Sequence, residues 1–408
     1  MSLFGGEKKV RQHIDDLTSG KKTMAQINEP LSPFEKDLLS GLCRHWICLN
    51  HTLDQYLQKQ TQQRDFRLIL VIGIYRLLLT TQPNNKPIID GLMLLAEKWG
   101  LGFRKKVIYA ILNNVLRNPP DFQSFPENIR YSLPPFFYKK MKASLGSHFD
   151  LSAHNQIQRP SIWALVFDKA HITHEMTVPY PDQYPRAIQF DSLKNLTEKT
   201  GYQEGHWQIQ DLAMQKMAAF LPTAVNGALI DACASPGGKT IVLNKRFPEN
   251  PIFAIEIEPK KIQRLKDNLL RCHGDNVNVV CTNFLQFNPK AKPGLIWLDA
   301  PCSGSGVIGK HPEIKYQISK EQLLAHQQQQ IELLNHAWEQ VKPGGTVFYS
   351  TCSIFPEEND DVIESFNEYI VDITPPSKAI RSQYGLTFLM DNQFGGYLSI
   401  LKKPETWR

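Results

Sequence analysis

Long apolar runs are missing from this chain. The best of them, Leu68 to Leu79, contains Arg76 and is too short to span a bilayer. The N-terminus is polar, with Glu7, Lys8, Lys9 and Arg11 where a secretory leader would carry an apolar core. A cytoplasmic protein without a membrane partner is therefore expected. Cysteine is sparse: seven in 408 residues, with no CxxC pair and no Cys/His cluster at zinc spacing. That argues against a disulfide framework and against a bound metal. Neither a Walker loop nor a GxGxxG fingerprint occurs. Internal repeats are absent too. The one low-complexity run, Gln327 to Gln330, lies in a helical pattern (Leu323, Leu324, Ile331, Leu334) and reads as a solvated helix face.

What is present divides the chain in three. Residues 1–145 carry apolar residues at helical spacing, as in Leu38-Leu39-Leu42-Trp46-Leu49 and Ile69-Ile72-Tyr75-Leu79, and predict an all-α bundle. Residues 146–221 are mixed and predict a small α+β connecting module, with a strand at Trp163 to Phe167 and a helix over Ile209 to Leu221. From 222 to 408 the rhythm becomes strand, turn, helix. Strands are expected at Ala228 to Ala232, Ile252 to Glu256, Val277 to Cys281, Leu295 to Asp299 and Thr346 to Ser350, followed by a hairpin of Leu386 to Met390 and Tyr397 to Leu401. Apolar runs of that length between helical stretches predict an α/β fold with a doubly wound, mostly parallel sheet. A net charge of +6 leans towards a polyanionic partner.

The first strand of this last part ends in Asp231-Ala232-Cys233-Ala234-Ser235-Pro236-Gly237-Gly238-Lys239-Thr240. Glycines there let the backbone approach a ligand, and a helix N-terminus offers free N–H groups. Taken alone, such a turn also serves simply to pack a strand on a helix. Glu256 ends the next strand, placed to accept both hydroxyls of a ribose, and Asn283 follows the third, within reach of an adenine edge. Three strand ends thus converge as an adenosine-containing cofactor requires. Lys239 also admits a plain reading as a helix lysine in water.

Two cysteines stand apart. Cys302 lies in Asp299-Ala300-Pro301-Cys302-Ser303-Gly304-Ser305-Gly306, and Cys352 in Ser350-Thr351-Cys352-Ser353 ahead of Pro356-Glu357-Glu358-Asn359. A buried cysteine is normally a small hydrophobe, the reading that suits Cys43, Cys48, Cys272 and Cys281. The small and hydroxyl-bearing neighbours of Cys302 and Cys352 point elsewhere. A thiolate adding to carbon 6 of cytosine turns carbon 5 into a nucleophile that can take a methyl group. Such chemistry needs a thiolate, a group at ring N3, for which Asp299 is suited, and a base.

These motifs resemble the RNA cytosine-5 methyltransferases of the Sun/Nop family, and among them the bacterial enzymes acting on small-subunit (16S) rRNA. The resemblance rests on Asp231 to Thr240, Asp299 to Ser303, His311-Pro312-Glu313-Ile314-Lys315 and Thr351-Cys352-Ser353 with Pro356 to Asn359. In the N-terminal part, Gly73-Ile74-Tyr75-Arg76-Leu77-Leu78 and Asn113-Asn114-Val115-Leu116-Arg117 look like a NusB-type RNA-binding bundle. The resemblance implies a Rossmann-type methyltransferase domain using S-adenosyl-L-methionine. It makes Cys352 the nucleophile and Cys302 the helper in product release, with Asp299 at the base and the cofactor. It places cofactor contacts at Cys233, Ala234, Ser235, Pro236, Gly237, Gly238, Lys239, Glu256 and Asn283. The chain departs from the family pattern at Ser235 (usually alanine), Glu256 (usually aspartate) and Asn283 (usually aspartate). An uncharged Asn283 implies weaker cofactor binding.

RNA contacts are expected at Arg104, Lys105 and Lys106, ahead of the Asn113 helix, and at Lys310, His311 and Lys315, past the Cys302 loop. Such runs are as often ordinary solvated faces. The chain is expected to act as a monomer on small-subunit rRNA. The rivals are a DNA cytosine-5 methyltransferase, in which the Pro-Cys cysteine would be the nucleophile, and a NusB-like RNA-binding or assembly factor with a vestigial methyltransferase domain.

Overall fold

The computed structural model describes residues 7–59, 63–81, 84–173, 176–184, 186–190, 195–376, 379–389 and 395–405. They form two compact units. The first takes residues 1–157 together with 308–319, and the second takes 158–307 with 320–408. This division differs from the three-part expectation. The last helix before residue 158 stays with the helical unit, the small sheet shares a unit with the large one, and a segment beyond Cys302 belongs to the helices.

The first unit contains α1 (Glu7–Thr18), α2 (Pro33–Tyr56), α3 (Arg64–Leu78), α4 (Lys86–Lys98), α5 (Lys105–Arg117), α6 (Glu127–Arg130), α7 (Pro135–Leu145) and α8 (Phe149–Ile157). The start of α2 is locally encoded. Pro33 occupies its first turn, the Ser32 hydroxyl accepts from Glu35 N (3.3 Å), and the Glu35 carboxylate accepts from Ser32 N (2.6 Å). α3 is apolar nearly all round, and Ile69, Leu70, Val71 and Ile74 are all fully buried. A helix of that kind must sit at the centre of its bundle.

The second unit holds two sheets. The small one is antiparallel, ordered β2 (Ala187–Phe190), β1 (Ile162–Val166), β3 (Trp207–Ile209). The α9 turn (Thr200–Gln203) and α10 (Leu212–Ala218) flank β3. The helix expected from Ile209 thus starts later, because Trp207 to Ile209 pair with β1. The large sheet runs β6 (Val277–Cys281), β5 (Ile252–Glu256), β4 (Leu229–Ala232), β7 (Leu295–Asp299), β8 (Thr346–Thr351), β11 (Gly396–Lys402), β10 (Leu386–Phe388), β9 (Ala379–Arg381). β4 to β8 are parallel, and β9 to β11 join antiparallel. The expected hairpin is present as β10 and β11, and Met390 lies outside the described residues. α11 (Gly238–Arg246), α12 (Pro259–Arg271), α13 (Lys320–Gln340) and the α14 turn (Asp360–Ile363) complete the unit.

Strand order reverses between β4 and β7. In open α/β sheets that is where a crevice opens beyond the carboxyl ends of the strands. The core beneath includes Trp297 and Phe348, opposed across β7 and β8 with ring centroids 5.7 Å apart. Both are buried. Phe348→Ala is expected to cost ~3–5 kcal/mol of stability, read as a lower urea midpoint. A loss below about 1 kcal/mol would mean that the sheet does not depend on this pair.

Candidate active site

Three strand ends and one glycine turn build the site within the second unit. β4 delivers Asp231, buried, whose Oδ2 accepts from Thr240 Oγ1 at 2.5 Å. Burial pushes its carboxyl up to about 7, against the opposing pull of Thr240 and Lys239. Cys233 then takes a left-handed backbone (φ 66°) and Gly237 another (φ 103°). At that φ any side chain on residue 237 would be strained, and glycine is suited to it. The Gly238 carbonyl that follows accepts from Gln208 Nε2 (3.0 Å) and Gln210 Nε2 (3.3 Å), both from the end of the small sheet. Burial, reinforced by Asp299, Asp231 and Glu256, pushes the Cys233 thiol up to about 12, so it stays an unreactive thiol.

Glu256 ends β5 with its carboxylate already oriented: Oε2 accepts from Ser235 N (3.3 Å) and Oε1 from Glu258 N (2.9 Å). Asn283 Oδ1 accepts from Leu285 N at 3.0 Å, capping a short turn. One lone pair of that oxygen is therefore used locally, leaving the amide N–H groups as the stronger offer to a ligand.

Lys239 does not sit in water. Its side chain is 15% exposed and its Nζ meets Asp299 Oδ2 at 2.5 Å. Burial alone would push the ammonium down, but Asp299 outweighs it and the net shift is upward. The other Asp299 oxygen accepts from Ser350 Oγ (2.9 Å), which in turn accepts from Trp297 Nε1 (3.0 Å). A core tryptophan thus orients the strand-end carboxylate through one hydroxyl.

Beyond Asp299 the two expected thiols meet, with Cys302 Sγ and Cys352 Sγ 3.1 Å apart. That is a hydrogen-bond distance and far longer than the S–S bond of a disulfide. The turns that carry them are joined by Gly306 N to the Cys352 carbonyl (2.9 Å), Ser305 Oγ to Ser353 Oγ (2.9 Å) and Ile354 N to Ser305 Oγ (3.0 Å). The hydrogen bond with Cys352 and burial drive the Cys302 thiol well up. Cys302 is thereby disfavoured as a thiolate, and either sulfur can be the donor in the contact between them. Gln330 is fully buried and donates to the Pro301 carbonyl at 2.7 Å, so the glutamine run is not wholly a solvated face.

The expected RNA contacts divide. Lys106 and Lys310 are exposed, as is His311, whose Nδ1 lies 3.9 Å from Glu313 Oε1. Arg104 lies over the Phe66 ring (4.7 Å), and Lys105 pairs with Glu97 (2.6 Å). Lys315 corrects the sequence reading. It is buried, and its Nζ donates to the Arg44 carbonyl at 2.8 Å, so it tethers the 308–319 segment within the helical unit and grips no phosphate. Gln208, Gln210, Ser350 and Gln330 were not singled out in the sequence. For the two glutamines of the small sheet no sequence signal exists, because their role depends on where β3 ends.

The glycine turn, strand-end acids and reversed strand order define a Rossmann-type methyltransferase. Residues 218–386 match the 16S rRNA methyltransferase RsmB/F family, and residues 3–117 match the NusB family. The chain thus resembles the RsmB/F methyltransferases over its catalytic part and the NusB family over its N-terminal part. It is 29% identical over 390 residues to ribosomal RNA small subunit methyltransferase B of Proteus mirabilis, covering 88% of this chain and 89% of that one. Identity to the Salmonella paratyphi A protein of the same name is 26%, covering 97% of both. Among solved structures, PH0851 matches with TM-score 0.70 and 19% identity over 99% of this chain and 100% of that one. A methyltransferase homolog from Pyrococcus horikoshii matches with TM-score 0.58 and 19% identity, covering 68% and 97%. These structural likenesses show the fold. Among the described residues no helix is long and apolar enough to cross a membrane, and no group of three His, Cys, Asp or Glu side chains stands where it would hold a metal.

Burial pushes the Lys315 ammonium down to about 7, from 10.5. Between those values the unfolded chain binds the proton and the folded one does not, so stability rises with pH across that window and the penalty is full below it. Urea midpoints of the wild type should climb from pH 7 to pH 10 more steeply than those of Lys315→Met. Parallel curves would contradict the burial of this amine.

Proposed function

We propose that the protein transfers a methyl group from S-adenosyl-L-methionine to carbon 5 of a cytosine in small-subunit rRNA, through a covalent adduct with Cys352. The observation that carries this reading is the contact of two sulfurs at 3.1 Å beside the Asp299–Lys239 pair. The residues present suit the cofactor: an oriented, buried carboxylate at Glu256, a glycine turn with a left-handed backbone at Gly237, and a polar edge at Asn283. Bound there, the cofactor supplies an electrophilic methyl group.

Asp299 accepts from the exocyclic amine of the base, beside ring N3. The Cys352 thiolate attacks carbon 6, forming a C–S bond and making carbon 5 an enamine carbon, which would take the methyl as the sulfonium S–CH3 bond breaks and its electron pair stays on the departing thioether sulfur. The carbon 5 proton leaves to a base, the C–S bond breaks, and the electron pair returns to sulfur as the ring regains its double bond. Cys302, holding a proton at hydrogen-bond distance, delivers it to the departing sulfur. Positive side chains that remain exposed, Lys106 and Lys310, supply sequence-independent grip on phosphates. A target inside a helix is flipped out first. The enzyme works as a monomer in the cytoplasm and without a metal.

The test is incubation with small-subunit rRNA and methyl-labelled S-adenosylmethionine, followed by digestion to nucleosides. Label in 5-methylcytidine at one site is expected. Label only with transfer RNA or DNA would reject the substrate, and no label at all would favour an RNA-binding factor. Cys352→Ala should abolish incorporation, and near-normal turnover in it would sink the nucleophile assignment. Cys302→Ala should accumulate a slow-migrating protein–RNA species on a denaturing gel. Its absence would count against the release role.

A further inference from the structure

Two consecutive residues hold the two thiol turns. Asn359 spans Cys352: its Oδ1 accepts from Thr351 Oγ1 (2.6 Å) and its Nδ2 donates to the Ser353 carbonyl (3.1 Å). Glu358 reaches the opposite turn, where Oε1 accepts from Ser303 N (2.6 Å) and Oε2 from Ser303 Oγ (2.5 Å). The Glu358 carboxylate is fully buried. Around it stand His326 Nδ1 at 3.2 Å, one-third exposed, and the amide of Gln330 at 3.5 Å. Its backbone carbonyl accepts from Tyr349 Oη at 2.6 Å. Burial works to raise this carboxyl, but His326 and Ser303 hold it below the usual range, so it is an anion.

A buried anion is a costly way to hold a turn, since an amide of the same shape would hold it with a smaller desolvation penalty. The charge itself therefore calls for an explanation. The groups around the sulfurs are arranged asymmetrically. The Glu358 carboxylate is seated on Ser303, the residue next to Cys302, and a negative charge there disfavours a thiolate on Cys302. Between sulfurs in hydrogen-bond contact, a charge beside one of them biases which one bears the shared proton.

We propose that Glu358 is a positioning residue for the thiol pair: it pins the turn after Cys302 and by its charge keeps the shared proton on Cys302, leaving Cys352 to attack. This rests on the methyl-transfer reading above, and deepens it.

The test uses the full chain and Glu358→Gln, which keeps the shape and removes the charge. Alkylation by iodoacetamide across pH, with the modified cysteine located by mass spectrometry, needs neither RNA nor cofactor. In the wild type Cys352 should react at lower pH than Cys302. In Glu358→Gln that lead should shrink by about tenfold in relative rate. In turnover, the variant should keep its KM for RNA while kcat falls about tenfold and the covalent species builds up. An unchanged alkylation order and lead in Glu358→Gln would overturn the proposal, even where the wild type labels rRNA. Failure of the wild type to label rRNA would instead reject the substrate reading, with the alkylation profile still deciding this one. Should Glu358→Gln not fold, Ser303→Ala removes one of the two hydrogens that seat the carboxylate. A reduced Cys352 lead there upholds the proposal, and a wild type in which Cys302 reacts first overturns it.

Discussion

The parallel register of β7 against β8 sets Asp299 level with Ser350 and Trp297 level with Phe348. Because side chains alternate between faces, a slip of one residue would send each of these to the other side of the sheet. In the register observed, a buried tryptophan N–H reaches the Ser350 hydroxyl, and that hydroxyl reaches Asp299. The carboxylate is thereby aimed before any ligand arrives. The two chains then leave the sheet side by side, which brings Cys302 and Cys352 into contact. The packing of two apolar strands is what places the reactive groups, and the polar contacts refine that placement.

Charge at this site is balanced by pairs instead of by solvent. Lys239 is an ammonium because Asp299 faces it, and Asp299 is held on both oxygens. Glu358 remains an anion because Ser303 and His326 serve it. Removing Asp299 or His326 would leave the more deeply buried partner, Lys239 or Glu358, with its charge less compensated. Preorganised groups of this kind reduce the rearrangement required when charge develops on a substrate.

The helical unit is organised by a different rule. α3 is surrounded by apolar neighbours, and its stability derives from burial. Charged side chains are buried there too, among them Arg76, Arg44 and Lys315, whose Nζ donates to the Arg44 carbonyl. The sequence context of Lys315, next to Lys310 and His311, looks like an exposed basic run. Nothing local distinguishes a lysine on a surface from one tethered inward.

Much of the catalytic fold was readable because strand and helix write different periods into a chain. β5, β6 and β7 fall where alternating apolar runs end in Glu256, Cys281 and Asp299. The glycine turn and both cysteine motifs were legible because each is contiguous, and contiguous residues constrain one another through the backbone. The small sheet was half legible, since Trp207 to Ile209 is too short to separate from the helix behind it. What the sequence alone determined is which side chains stand at the ends of the strands. Only the tertiary structure decided which of them touch: that Lys239 pairs with Asp299, that Gln208 and Gln210 hold the glycine turn, that Glu358 seats the Cys302 turn, and that Lys315 is buried. Those contacts join residues far apart in the chain. Their partners are set by strand order and register, which no local pattern records.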